Sequence, residues 1–95
     1  MEIKIKSLKF DADKKLLEFV EKKVAKLEKF HEDADSVDVT LSLEKDAKGV
    51  KLQVRVPGSE LVIEREAKTF EDAVEAAADA MKEKMTRIRE KQTEK

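Results

Sequence analysis

Few side chains in this sequence could carry out catalysis. The 95 residues include no cysteine and one histidine, His31, which excludes thiol chemistry, disulfides and Cys-based zinc sites. His31 has no second histidine with which to bind a metal ion, and we interpret it as a surface or helix-end residue. The two glycines fall in predicted turns and form no phosphate-binding loop. We therefore expect no enzyme, no catalytic residue, no metal, no cofactor and no small-molecule substrate.

Basic residues are abundant, and they are unevenly distributed. The chain has 21 Lys and Arg against 22 Asp and Glu, and a net charge of −1 does not by itself predict nucleic-acid binding. Residues 14–30 and 82–95 nevertheless each carry +3, whereas residues 31–48 carry −4 and residues 60–80 carry −5. Such basic segments can contact several phosphates without a basic protein overall. A solvated Lys/Glu surface with weak ion pairs remains the alternative.

The basic segments must be positioned by regular elements, and alternating apolar and polar residues predict four strands. The strands lie in residues 1–10, 37–44, 50–56 and 61–67. In the first, a change of phase at Ser7 puts Leu8 on the apolar side. Strands two and three are joined by a predicted turn that ends at Gly49, which is able to adopt a positive φ, and strands three and four by Pro57 and Gly58.

Two longer stretches have apolar residues at helical spacing. The first runs roughly from Ala12 to Phe30, with Asp11 and Asp13 as N-cap candidates, and the second follows Thr69, a further N-cap candidate. The order is β-α-β-β-β-α, in which a crossover helix makes the first two strands parallel and hairpins make the others antiparallel. We predict an α+β fold, a four-stranded mixed sheet with two helices packed on one face, as a single domain of residues 1–95 that frays over about 92–95.

Helical periodicity places the basic residues on particular flanks of the helices. Lys22, Lys26 and Lys29 share one sector of the first helix, away from its glutamates. In the second helix Lys84 and Arg87 fall on one flank, with Lys91, and Lys82 falls on the other, with Arg89. Basic flanks of two neighbouring helices could join into one patch across the groove between them. The four phenylalanines, without Trp or Tyr, leave little for base stacking.

Four segments resemble a known family. They are EFVEKKVAKLEKF at 18–30, LSLEK at 41–45, AKTFEDA at 67–73 and MTRIREK at 85–91. They are similar to the bacterial ribosome hibernation-promoting factor and ribosome-associated inhibitor family, also known as sigma-54 modulation proteins. The resemblance covers essentially the whole chain, and the chain looks like a short member without a C-terminal dimerisation domain.

The resemblance implies a double-stranded-RNA-binding-like fold and a cytoplasmic protein that binds the small ribosomal subunit. Family members occupy the decoding region between head and body, where they exclude mRNA and tRNA and silence translation in starvation or stationary phase. Some members also promote ribosome dimerisation. We expect a partner made of rRNA and ribosomal proteins, no membrane association, and a monomer when the protein is free.

The resemblance also implies which residues contact rRNA. Lys23 and Lys26 match basic positions in the first helix, and Arg87, Arg89 and Lys91 match the basic end of the second, where they would contact phosphates. The distribution of charge adds further lysines on the same surface. The candidate RNA-binding residues are therefore Lys22, Lys23, Lys26, Lys29, Lys82, Lys84, Arg87, Arg89 and Lys91.

Two other interpretations stay open at the level of sequence. The acidic surface could serve a protein-interaction or regulatory module, of the kind that the name sigma-54 modulation suggests. The regular Lys/Glu pattern could also belong to an engineered scaffold of the same fold that has no function.

Overall fold

The computed structural model describes residues 2–30 and 33–93, and side chains up to Arg87. The elements are β1 (Glu2–Leu8), α1 (Lys14–Ala25), a 3-10 helix (Lys26–Phe30), β2 (Ser36–Leu43), β3 (Lys48–Val56), β4 (Ser59–Ala67) and α2 (Phe70–Thr93). This order confirms the predicted β-α-β-β-β-α arrangement.

The four strands form one mixed sheet in the order β1-β2-β3-β4. Strands β1 and β2 are parallel, with Ile3 opposite Val37, and the other two pairs are antiparallel. The parallel pair follows from the crossover through α1, because a helix between two strands returns the chain to the same end of the sheet. The predicted mixed sheet is therefore confirmed.

Both helices pack on the same face of the sheet and enclose one hydrophobic core. Helix α2 covers β3 and β4, α1 lies against β1, and the two helices contact each other. Strands β2 and β3 contribute an alternating row of buried valines and leucines, and α2 contributes the fully buried Met81 and Met85. The opposite face of the sheet is polar and carries ion pairs such as Lys51 with Glu64 at 4.0 Å.

Side-chain caps fix where each helix begins. The Asp13 carboxylate accepts a hydrogen bond from the Leu16 backbone N–H at 2.8 Å, and the Thr69 hydroxyl accepts one from the Asp72 N–H at 3.1 Å. Each cap satisfies one of the N–H groups that the first turn of a helix leaves without a partner. These two predicted N-caps are confirmed.

Strand β1 differs from its predicted alternation. The strand keeps its phase through Ser7, so Ser7 is half-buried on the core side and Leu8 lies on the outer face with 39% of its surface exposed. Lys9 then adopts a left-handed conformation with φ of 67°, which redirects the chain so that Phe10 packs against the core. The prediction that Leu8 is on the buried side was wrong, because the chain turns after the strand instead of slipping within it.

Gly49 also differs from its predicted role. It lies within β3 opposite Ser42, and the turn before it is closed by the Glu44 N–H, which donates to the Ala47 carbonyl at 2.9 Å. A Cβ atom at Gly49 would lie 2.8 Å from Ser42 Oγ, so glycine serves close packing here and not a positive φ. Gly58 does adopt a positive φ, of 76°, in the predicted turn after Pro57.

The first helix ends differently from the prediction. Regular α-helix stops at Ala25, and Lys26–Phe30 continue as a tighter 3-10 helix that buries Leu27. Such short 3-10 segments are frequent at helix C-termini. Helix α2 extends to Thr93.

Candidate RNA interface

A groove runs between the end of α1 with the following 3-10 helix on one side and the middle of α2 on the other. It measures about 300 Å³, and we call it the basic groove. It is lined by Lys23, Lys26, Leu27, Lys29, Phe30, Ala78, Asp79 and Lys82. Its apolar residues belong to the helix contact, where the small Ala77 and Ala78 of α2 are buried and leave space for the side chains of the 3-10 helix.

Lysines surround this groove from both helices. Lys26 and Lys29 are exposed and form no ion pair within residues 2–30 and 33–87. The Lys82 ammonium lies over the Phe30 ring, 5.1 Å from its centroid. The Lys23 ammonium lies 5.6 Å from the Phe19 ring centroid and 3.2 Å from Glu75 Oε1. The predicted meeting of basic residues across the helices is thus present in the structure for these four lysines.

A shallower depression extends the groove along the exposed face of α2. It measures about 490 Å³ and is lined by Asp79, Lys82, Glu83, Thr86 and Arg87. The Arg87 guanidinium lies 2.9 Å from Glu83 Oε1, one turn earlier in the helix. Because Asp79 and Lys82 line both hollows, Arg87 is continuous with the basic groove.

Lys84 lies apart from this surface, contrary to the prediction that it extends it. Its ammonium donates a hydrogen bond to the Val62 carbonyl at 3.3 Å, on the side of α2 that faces β4. Lys82 lies about 200° away around the helix and lines the basic groove, in agreement with the separate flanks predicted for these two lysines. Lys84 is therefore placed at the edge of the sheet.

The remaining candidates are Lys22, Arg89 and Lys91, of which the structure describes only the side chain of Lys22. Lys22 is exposed on α1, one turn before Lys26, and does not line the groove. The backbones of Arg89 and Lys91 belong to α2, but their side chains lie outside the described residues, as does His31.

Sequence reasoning missed the groove residues that are not basic. Phe30 was assigned to the end of a regular helix, where its orientation toward α2 could not be foreseen. The acidic residues in and beside the groove could have been found from their spacing. Glu75, Asp79 and Glu83 are four residues apart and therefore form one stripe along α2. This stripe brings carboxylates next to the lysines and Arg87.

In the described parts of the chain, no three His, Cys, Asp or Glu side chains are grouped in a way that could hold a metal ion. No helix within the described ranges combines the length and the apolar character needed to cross a membrane.

Comparison with known proteins identifies relatives along almost the entire chain. The family model described as "Sigma 54 modulation protein / S30EA ribosomal protein" matches residues 3–93. The ribosome hibernation promoting factor of Azotobacter vinelandii is 27% identical over 95 residues, which are 100% of this chain and 89% of the relative. The protein of the same name from Pseudomonas putida is 26% identical over 92 residues, 97% of this chain and 90% of that one.

Two solved structures share the architecture. The N-terminal domain of Protein Y from Thermus thermophilus superposes with a TM-score of 0.83 at 27% identity, over 93% of this chain and 99% of that one. A ribosomal subunit interface protein from Coxiella burnetii superposes with a TM-score of 0.88 over 94% of this chain and 98% of that one. At 19% identity, the second comparison shows the common fold alone.

Proposed function

Because the chain belongs to the sigma 54 modulation protein / S30EA ribosomal protein family, we propose that it binds the small ribosomal subunit and silences translation. Its relatives named ribosome hibernation promoting factor support a role on the ribosome. The proposed place of action is the cytoplasm, where ribosomes work, under starvation or in stationary phase.

The observation that supports this proposal is the meeting of lysines from two helices at one groove. Lys26 and Lys29 come from the 3-10 helix and Lys82 from α2, and all three line the basic groove. Ammonium groups that line one groove attract a polyanion, which neutralises their charge and lowers the repulsion among them. A net charge of −1 is compatible with this function because Lys26 and Lys29 form no ion pair within the described residues, although Asp79 also lines the groove.

The proposed mechanism is occlusion of the decoding region. Lysine ammonium groups and the Arg87 guanidinium would hold rRNA phosphates through charge-assisted hydrogen bonds. The bound protein then occupies space that mRNA and tRNA need, so translation stops without any chemical step.

Cosedimentation with purified small subunits, at low and at raised salt, tests the proposal. The variant Lys26→Glu/Lys29→Glu/Lys82→Glu should lose binding and should no longer inhibit cell-free translation. If these lysines contact phosphates, their loss lowers the slope of log affinity against log salt by about two to three. The same sedimentation run with whole ribosomes reports whether dimers form.

A matched control separates local contacts from net charge. Lys14, Lys45 and Lys68 are exposed and lie outside the groove, so changing all three to Glu makes the same change in charge. This control should still cosediment at low salt. Wild-type protein that fails to associate with small subunits at low salt refutes the function, and equal binding by both triple variants refutes the site.

A further inference from the structure

We infer that the basic groove holds one unpaired RNA nucleotide, with its base stacked on the face of Phe30 and its phosphates among the lysines. The inference rests on the proposed function and specifies the feature of RNA that this site recognises. It assigns a role in binding to Phe30, and it makes an exposed base, in addition to backbone charge, the determinant of affinity.

The aromatic ring is oriented for such a contact. Phe30 ends the 3-10 helix, packs partly against the core and lines the basic groove. The Lys82 ammonium lies over the ring, 5.1 Å from the centroid, so the face of the ring is directed toward the groove. A base stacked on an aromatic ring is held more strongly than an exposed ammonium over the same ring. A base can therefore displace Lys82, which is then free to contact a phosphate.

The size and charge of the groove fit one nucleotide. Its volume of about 300 Å³ is at the lower end of the roughly 300–1,000 Å³ typical of small-ligand sites. Leu27, Phe30 and Ala78 provide apolar surface for a base, and Lys26 and Lys29 provide ammonium groups for phosphates. Asp79 repels phosphate and accepts hydrogen bonds, which directs the phosphates toward the 3-10 helix and N–H groups of the base toward α2.

Base pairing decides whether RNA can use this site. In an A-form duplex each base is covered by its stacked neighbours, whereas loops, bulges and single strands expose base faces to aromatic side chains. The groove should therefore prefer an unpaired nucleotide, while the lysines alone would bind duplex and single strand through their phosphates.

Fluorescence anisotropy with two labelled RNAs tests this inference. The probes are a uridine hexanucleotide and a blunt-ended RNA duplex of 16 base pairs, each measured with the full chain at several salt concentrations. The variant Phe30→Leu keeps an apolar side chain but has no ring face. It should bind the hexanucleotide roughly 5- to 150-fold more weakly, with an unchanged salt slope and unchanged duplex affinity, because no charge is removed.

Phe19 offers a matched control. It is also partly exposed beneath a lysine, with the Lys23 ammonium 5.6 Å from its centroid, but it does not line the groove. Phe19→Leu should bind the hexanucleotide within twofold of wild type. Thermal melts establish that both variants fold, and in the wild-type chain the hexanucleotide should shift the Phe30 ring resonances in NMR spectra more than those of Phe19.

Three results would overturn the inference. They are a wild-type chain that does not bind the hexanucleotide at low salt, a Phe30→Leu variant that binds it as wild type does, and equal losses for hexanucleotide and duplex. Cosedimentation of the wild type with small subunits is scored separately. If the wild type cosediments and Phe30→Leu binds the hexanucleotide normally, the nucleotide site fails while the proposed function stands.

Discussion

Removing the negative charges of the acidic stripe on α2 should make the protein bind RNA more tightly while its fold becomes less stable. Glu75 lies 3.2 Å from the Lys23 ammonium, and Glu83 lies 2.9 Å from the Arg87 guanidinium. Asp79 stands between them along the helix. An RNA phosphate that approaches these cations must compete with carboxylates already in contact. The variant Glu75→Gln/Asp79→Asn/Glu83→Gln removes that competition.

The size of the effect follows from the exposure of the two ion pairs. The Lys23 and Glu75 side chains are 32% and 53% exposed, and those of Arg87 and Glu83 are 71% and 68% exposed. Exposed pairs contribute about 0.2–1 kcal/mol each. If RNA must break both pairs to bind the wild type, its binding free energy is weakened by about 0.4–2 kcal/mol. The variant has no such pairs to break, so it should bind about 2- to 30-fold more tightly. The free energy of unfolding should fall by the same amount, which lowers Tm by roughly 2–16 °C for a domain of this size.

The assay measures affinity for a short single-stranded RNA by anisotropy, together with a thermal melt. The control variant Glu60→Gln/Glu64→Gln/Glu66→Gln makes the same change in net charge on the sheet. It also frees two cations, because Glu60 lies 3.7 Å from the Arg55 guanidinium and Glu64 lies 4.0 Å from the Lys51 ammonium. Equal gains in affinity for both variants would show that only net charge matters, and no gain for the α2 variant would refute the competition itself.

Three substitutions test the fold, each by urea unfolding against wild type. Thr69→Ala removes the cap of α2 and should cost about 1 kcal/mol of unfolding free energy, whereas Thr69→Ser should retain most of it. Gly58→Ala forces a side chain into a backbone with φ of 76° and should cost about 1–2 kcal/mol; an unchanged midpoint would mean that the turn can relax. Met81→Ala leaves a cavity at a fully buried position and should cost about 2–5 kcal/mol, with a smaller loss showing that the core collapses around it.

The arrangement of elements could be predicted because local and long-range signals agree. Alternating residues such as Val50, Leu52 and Val54 face a single core, so periodicity alone identifies the strand and its buried side. The N-caps Asp13 and Thr69 depend on contacts within three residues and were predicted for the same reason. Leu8 was misplaced because the redirecting conformation at Lys9 has no sequence signature comparable to glycine.

The site was less predictable because it depends on how two helices pack. Projection on an ideal helix placed Lys26 and Lys29 correctly on an exposed flank, but it cannot show which flank faces α2. Lys84 was grouped with the others on charge alone, while in the structure it bonds the Val62 carbonyl of β4. The number of aromatic residues suggested little capacity for base stacking, but that number does not show that Phe30 lines the groove.

The change from α-helix to 3-10 helix at Lys26 sets the alignment of two cationic groups. In a regular α-helix, residues three apart project about 60° from each other around the axis and are separated by about 4.5 Å along it. In a 3-10 helix they are eclipsed and about 6 Å apart. Lys26 and Lys29 therefore project from one line parallel to the axis, as do Leu27 and Phe30. The 3-10 helix thus has a charged edge and, parallel to it, an apolar edge. A nucleotide likewise has a charged phosphate beside a base with an apolar face, so the two edges can contact its two parts at once.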